Sequence, residues 1–251
     1  MCIREQQATE ECMSTEHQEP VQDRASTPNR SSVDLDSIVE SVRSQWKFVV
    51  SIVTVIAVAI GGYWWYTTNK AEQNEEASTQ LSRVRAAFDT GEFSKALTGD
   101  SLPMVGVNKV KGLLAISEEY AGTNAGALAA LMSGNALVNL GRFDEAQLQF
   151  ERAQSSDAQV VEVGALQGLA SCKEAAKDLA GAAVLYEQAA TKGGKSGLED
   201  RCFYLAALCF ERSGNKEKAV QLYTMVVKKY EMSEVAAYAR GGLARLGMAI
   251  D

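Results

Sequence analysis

The chain of 251 residues has one histidine, His17, and five cysteines, Cys2, Cys12, Cys172, Cys202 and Cys209. These are the side chains best suited to acid–base, nucleophilic or zinc chemistry near neutral pH. His17 lies in a polar N-terminal stretch with no apolar periodicity, so imidazole catalysis and most zinc sites are excluded from any folded part. Cys202 and Cys209 are seven residues apart and share one helix face, where small buried thiols are expected in preference to a redox pair. An odd, sparse set of cysteines makes no disulfide framework, although one bridge through Cys172 stays open in an oxidising compartment. Gly193-Gly194-Lys195-Ser196 has the ending of a phosphate-binding loop. The first glycine of that motif would fall at Ala189, however, and the segment joins two helical patterns instead of following a strand. Glu118 and Glu119 belong to a solvated helix face. No catalytic residue, metal ligand or cofactor is expected, and the chain reads as a non-enzyme.

The informative residues are small and aromatic ones at fixed spacing. In Gly141 to Ala153, Ala146, Phe150 and Ala153 are four and three apart, with Gly134 seven before Gly141. The same frame recurs at Ala182, Tyr186 and Ala189, then at Ala219, Tyr223 and Val226, giving periods of 36 and 37 residues. A period of this length built from two helices marks a stacked helical array, because one hairpin cannot bury its own apolar face. Small residues let paired helices approach and the aromatic fills the groove between them. Upstream, Ala77, Leu81, Val84 and Phe88 form one helical stripe that ends near Gly91. Gly91 and Ala96 repeat the five-residue step from Gly141 to Ala146, which predicts a degenerate first repeat interrupted by residues 97–108. Val235 to Gly247 reads as a capping helix. With no alternating strand pattern, and Pro103 the only proline beyond residue 28, the fold class is all-α.

These residues resemble the tetratricopeptide repeat, which places Gly and Ala at the close helix contacts and an aromatic four residues after the second-helix Ala. The chain departs from that pattern where Leu137 and Lys173 replace the first-helix aromatic and where Ala170 and Ala207 replace Gly; the late proline is also missing. The resemblance implies three repeats and a partial fourth whose first helices line a concave groove. By this register the groove receives Asn135, Asn139, Glu174, Arg201, Glu211 and Arg212. Asn135 and Arg201 are suited to hydrogen-bonding an extended peptide backbone or a carboxylate. Leu131 and Gly168 stand where readers of acidic chaperone tails carry Lys and Asn, which disfavours that function.

Phe48 to Asn69 contains no charged side chain, and all three tryptophans, Trp46, Trp64 and Trp65, stand at its two ends. At about 1.5 Å per residue these 22 residues cover roughly 33 Å, the length of a single membrane span, with Tyr63 to Tyr66 as an aromatic belt. Polar residues before the run and bulky aromatics after it fit an uncleaved anchor better than a cleaved signal. Residues 1–33 read as a disordered polar tail, 34–47 as a short juxtamembrane helix carrying Leu35, Ile38, Val39 and Val42, and 70–251 as the repeat domain. Arg43 and Lys47 oppose only Lys70 near the span, and the acidic tail is more easily retained than translocated. The expected topology is therefore N-terminus cytoplasmic and C-terminal domain extracytoplasmic (periplasmic) in a cell inner membrane. A net charge of −7 with no basic face excludes nucleic acid as a partner.

This arrangement, with Glu118 to Ala146 as the first full repeat, resembles the bitopic inner-membrane family that includes the ancillary subunit of the bacterial Sec translocon. The resemblance implies a membrane-anchored protein–protein interaction scaffold whose partners are translocon subunits, periplasmic chaperones or client chains. Two alternatives are an envelope-assembly or cell-division coordinator and a self-associating homo-oligomer driven by the apolar repeat faces or by Gly61 and Gly62 in the span.

Overall fold

Ten helices and no strand form among the described residues. The computed structural model describes residues 46–100, 102, 110–194 and 197–248. The expectations for the tail 1–33, for the juxtamembrane helix up to residue 45, and for His17, Cys2, Cys12, Pro103, Lys195 and Ser196 lie outside them. The chain divides into two units, Met1–Val58 and Ala59–Asp251.

Of the first unit, residues 46–58 are described. They form the opening of helix α1 (Trp46–Asp89), and every one is exposed. The most apolar 18-residue window of α1 has a mean hydropathy of 2.0 and is 0% buried, so the helix is long and apolar enough to cross a membrane.

In the second unit the later turns of α1 become amphipathic. Ala77, Leu81, Val84 and Ala87 are buried with Ala96, Val110, Leu113, Ile116 and Tyr120, and Phe88 packs edge-on against Phe93 with ring centroids 5.6 Å apart. Two short helices follow, α2 (Phe93–Thr98) and α3 (Leu113–Glu119). Leu97 and Thr98 are still helical, so the first of these helices runs past the start of the interruption at 97–108 expected from sequence, and the next begins at Leu113. The backbones at Gly99 and Gly112 meet: a Cβ on Gly112 would lie 2.3 Å from the Leu97 carbonyl oxygen, and Gly99 has φ +78°. Only glycine at both points lets the backbones touch and the chain leave and rejoin at one place.

Three hairpins follow, α4 (Asn124–Asn139) with α5 (Phe143–Gln154), α6 (Gln159–Ala175) with α7 (Leu179–Lys192), and α8 (Glu199–Arg212) with α9 (Lys216–Lys229). Helix α10 (Glu234–Arg245) closes the stack. Each hairpin turns through one left-handed residue, Gly141 (φ +74°), Lys177 (φ +64°) or Gly214 (φ +89°). In each the following amide donates to a carbonyl five residues back: Arg142 to Leu137 (2.8 Å), Asp178 to Lys173 (2.9 Å) and Asn215 to Phe210 (2.9 Å). Gly91 (φ +78°) with Glu92 donating to Ala87 (2.9 Å) makes the same turn between α1 and α2. The repeat residues Ala146, Phe150, Ala153, Ala182, Tyr186, Ala189, Ala219, Tyr223 and Val226 are all buried.

Candidate functional site

The aromatic of each second helix sets how its neighbours are spaced. The Phe150 ring is held between Gly134 and Gly168: a Cβ on either would come within 2.5 or 2.3 Å of Cε1. Tyr223 meets Gly242 in the same way, at 2.5 Å from Cε2. Of these glycines only Gly134 stands out in the sequence as a helix contact; Gly168 and Gly242 are revealed by the next helix closing on the ring.

The two tyrosines differ from Phe150 in carrying a hydroxyl deep in the stack. The Tyr186 hydroxyl donates to Glu174 Oε1 (2.9 Å) and the Tyr223 hydroxyl to Glu211 Oε2 (2.6 Å). Each pair is twelve residues apart, and in the hairpin with Phe150 the equivalent position is Val138, so hydroxyl and carboxylate are gained or lost together. Each carboxylate also ties to the next first helix. Arg212 Nη1 donates to Glu174 Oε2 (3.0 Å), and Arg245 donates to Glu211 through Nε and Nη2 (both 2.9 Å). The Arg245 guanidinium, aided by the Tyr223 hydroxyl, holds the Glu211 carboxyl below its usual range against the opposing effect of burial. Burial, with the adjacent carboxylates, pushes both tyrosine hydroxyls up, so they stay protonated donors. Glu174, Glu211 and Arg212 are thus engaged within the stack. The twelve-residue spacing of Glu and Tyr in two successive repeats was the available signal for this role.

The repeat register puts the remaining candidates on one row. Leu128, Leu131, Asn135 and Asn139 of α4 correspond, 36 residues on, to Gly164, Gln167, Ser171 and Ala175 of α6, and after 37 more to Arg201, Tyr204, Leu208 and Arg212 of α8. Asn135 and Asn139 are exposed, and Asn139 Nδ2 donates to the Asn135 carbonyl (2.8 Å). At one end of the row a cleft of about 400 Å³ lies between α1 and α4, lined by Ser78, Leu81, Arg85, Leu128 and Met132. At the other end a cleft of about 540 Å³ separates α8 from α10, with Arg201, Tyr204 and Leu205 facing Val235 and Tyr238. The Tyr204 ring lies 6.0 Å from both Tyr223 and Tyr238, and Tyr238 is 63% exposed. Asp200 beside it is occupied by the Ser233 hydroxyl and the Arg201 amide. The Arg201 guanidinium has no ion-pair partner among the described residues. A guanidinium without an ion-pair partner among the described residues, beside two neighbouring tilted phenols of which one is largely open, suits a carboxylate next to an apolar or aromatic side chain.

Cysteine chemistry is suppressed in the same stack. Cys172, Cys202 and Cys209 are buried free thiols, Cys202 accepts from Gln167 Nε2 (2.9 Å), and burial pushes the Cys209 thiol up to about 12.

Residues 43–201 match the model of a tetratricopeptide repeat-like domain, and residues 201–231 match that of a tetratricopeptide repeat. No curated protein matches the chain. Such repeats generally mediate protein–protein interactions.

Proposed function

Since this chain belongs to the tetratricopeptide repeat-like domain family, we propose that it is a membrane-anchored scaffold whose groove docks proteins at the translocation machinery. Helix α1 is the anchor, the N-terminus is cytoplasmic, and the hairpin stack works on the extracytoplasmic side, where it holds or passes on envelope client proteins. Fixing the groove at the membrane surface raises its effective concentration around any complex in the same plane, so modest affinity per contact suffices. The observation that carries the docking reading is the α8–α10 cleft, where Arg201 has no ion-pair partner among the described residues and Tyr238 is 63% exposed, while Arg212 and Arg245 are paired with Glu174 and Glu211. Asn135 and Asn139 extend the polar row toward α4 and supply backbone-directed amides.

The test is affinity purification of the full chain from membranes in mild detergent after cross-linking in cells, with Arg201→Glu alongside. Translocation subunits or envelope chaperones should co-purify with the unsubstituted chain and fall away from the variant. Recovery of the chain alone would overturn the docking reading. It would leave self-association, for which Gly61 and Gly62, with nothing within 4 Å of their Cβ positions, offer a close-approach face. Replacing both by Leu would then reduce the oligomer to monomer.

A further inference from the structure

We propose that the cleft beside Lys70 binds the phosphate of an anionic phospholipid headgroup. The inference rests on the reading of α1 as a membrane anchor. The cleft, of about 330 Å³, opens between the segment of α1 around Tyr66 and Lys70 and the two turns Ala121–Thr123 and Ser155–Asp157. If the uncharged run ends at Asn69, Tyr66 lies in the aromatic belt and Lys70 one turn outward, about 6 Å along the axis. That step falls within the headgroup layer of roughly 5–8 Å on each side of the hydrocarbon core. The cleft is therefore at the depth of lipid phosphates.

Its side chains fit that ligand. Lys70 and Arg152 both line it, together with Ser155, whose hydroxyl donates to the Arg152 carbonyl (2.8 Å), and Ser156, whose hydroxyl accepts from the Ala158 amide (3.1 Å). Arg152, in the last turn of α5, has no acid partner among the described residues, so its charge is available to a ligand in the cleft. The only acid among the lining residues is Asp157, whose side chain is 85% exposed and lies 3.6 Å from Lys70 Nζ. An exposed pair at that distance contributes little, so a phosphate with two charge-bearing oxygens displaces Asp157 from Lys70 and takes Arg152 as its second cation. An Arg–phosphate contact is bidentate where geometry allows, while Lys acts as a point charge. The bound lipid would fix the rotation of the hairpin stack over the bilayer.

The experiment uses the full chain in nanodiscs of mixed phosphatidylglycerol and phosphatidylcholine, with retained lipid identified by native mass spectrometry after release. Phosphatidylglycerol should be retained in preference to phosphatidylcholine, and Lys70→Gln and Arg152→Gln should each reduce that preference about fivefold, the effect of one cation near a charged bilayer. Lys216→Gln, an exposed lysine at the start of α9, should change nothing. Incorporation without lipid preference, or a preference unmoved by both variants, overturns the cleft and leaves the anchor intact. Failure to incorporate overturns the anchor, and the lipid site with it. Equal loss of both lipids on adding inorganic phosphate also overturns it, because the cleft would then read phosphate without the lipid.

Discussion

Neighbouring glycines of α10 have opposite tasks. A Cβ on Gly242 would sit 2.5 Å from the Tyr223 ring, so Gly242→Ala forces a fully buried aromatic off its position and should destabilise by about 1–3 kcal/mol. Gly241 has only the tip of Arg245 nearby, at 3.9 Å, so Gly241→Ala should stabilise by about 0.5–1 kcal/mol through helix propensity. Thermal unfolding of the full chain in detergent, followed by circular dichroism, reads both signs. Lys177 holds φ +64° where equivalent turns use Gly141 and Gly214, so Lys177→Gly should stabilise by about 1 kcal/mol in the same assay. Sequence spacing made the ring-filling role of Phe150, Tyr186 and Tyr223 legible. It did not reveal Gly168 and Gly242, because their partner ring belongs to the preceding repeat and no local pattern links the two. Nor did it reveal that Glu174, Glu211 and Arg212 serve the stack, since a charged residue on a first helix reads as solvent-facing until its partner 34 or 38 residues away is placed beside it.

Successive first helices are joined by a repeated device, a carboxylate that accepts a tyrosine hydroxyl from its own hairpin and a guanidinium from the next helix. Glu211 has a folded value depressed below its ordinary 4.5, by Arg245 first and Tyr223 second. Its contribution to stability is therefore complete above the unfolded value and is lost as pH falls through the lower folded one. Acidification from about pH 5 downward should lower the melting temperature of the unsubstituted chain more steeply than that of Glu211→Gln. Arg245→Gln should cost about 1 kcal/mol at neutral pH, a low figure for a charged bond because Arg245 is about half exposed. The repeat frame of the three full hairpins followed from Gly, Ala and aromatic spacing, whose Ala and aromatic residues are buried in each second helix. The first repeat was legible only as degenerate. The close approach of the Gly99 and Gly112 backbones depends on two distant points of the chain meeting, which one-dimensional periodicity does not encode.

At the scale of the whole molecule the chain combines an exposed apolar helix with a stack of helical hairpins in which Arg201 has no ion-pair partner among the described residues. The long apolar helix was the plainest feature of the sequence, since an uncharged run from Phe48 to Asn69 bounded by tryptophans needs no tertiary information to be read. The candidate groove was legible only as a row of positions; in the structure Arg212 and Arg245 are paired, whereas Arg201 has no ion-pair partner among the described residues. Anchoring predicts that the full chain stays with the membrane pellet through an alkaline carbonate wash and is released by detergent. The most direct test of membrane-held docking places a photo-cross-linking phenylalanine at Tyr238 in the cleft and at Val184 on α7, in the full chain in carbonate-washed membranes. The account predicts discrete adducts with other proteins from position 238, lost when Arg201 is changed to Glu, and none from position 184. Equal adducts from both positions, or adducts from 238 that survive Arg201→Glu, would contradict it.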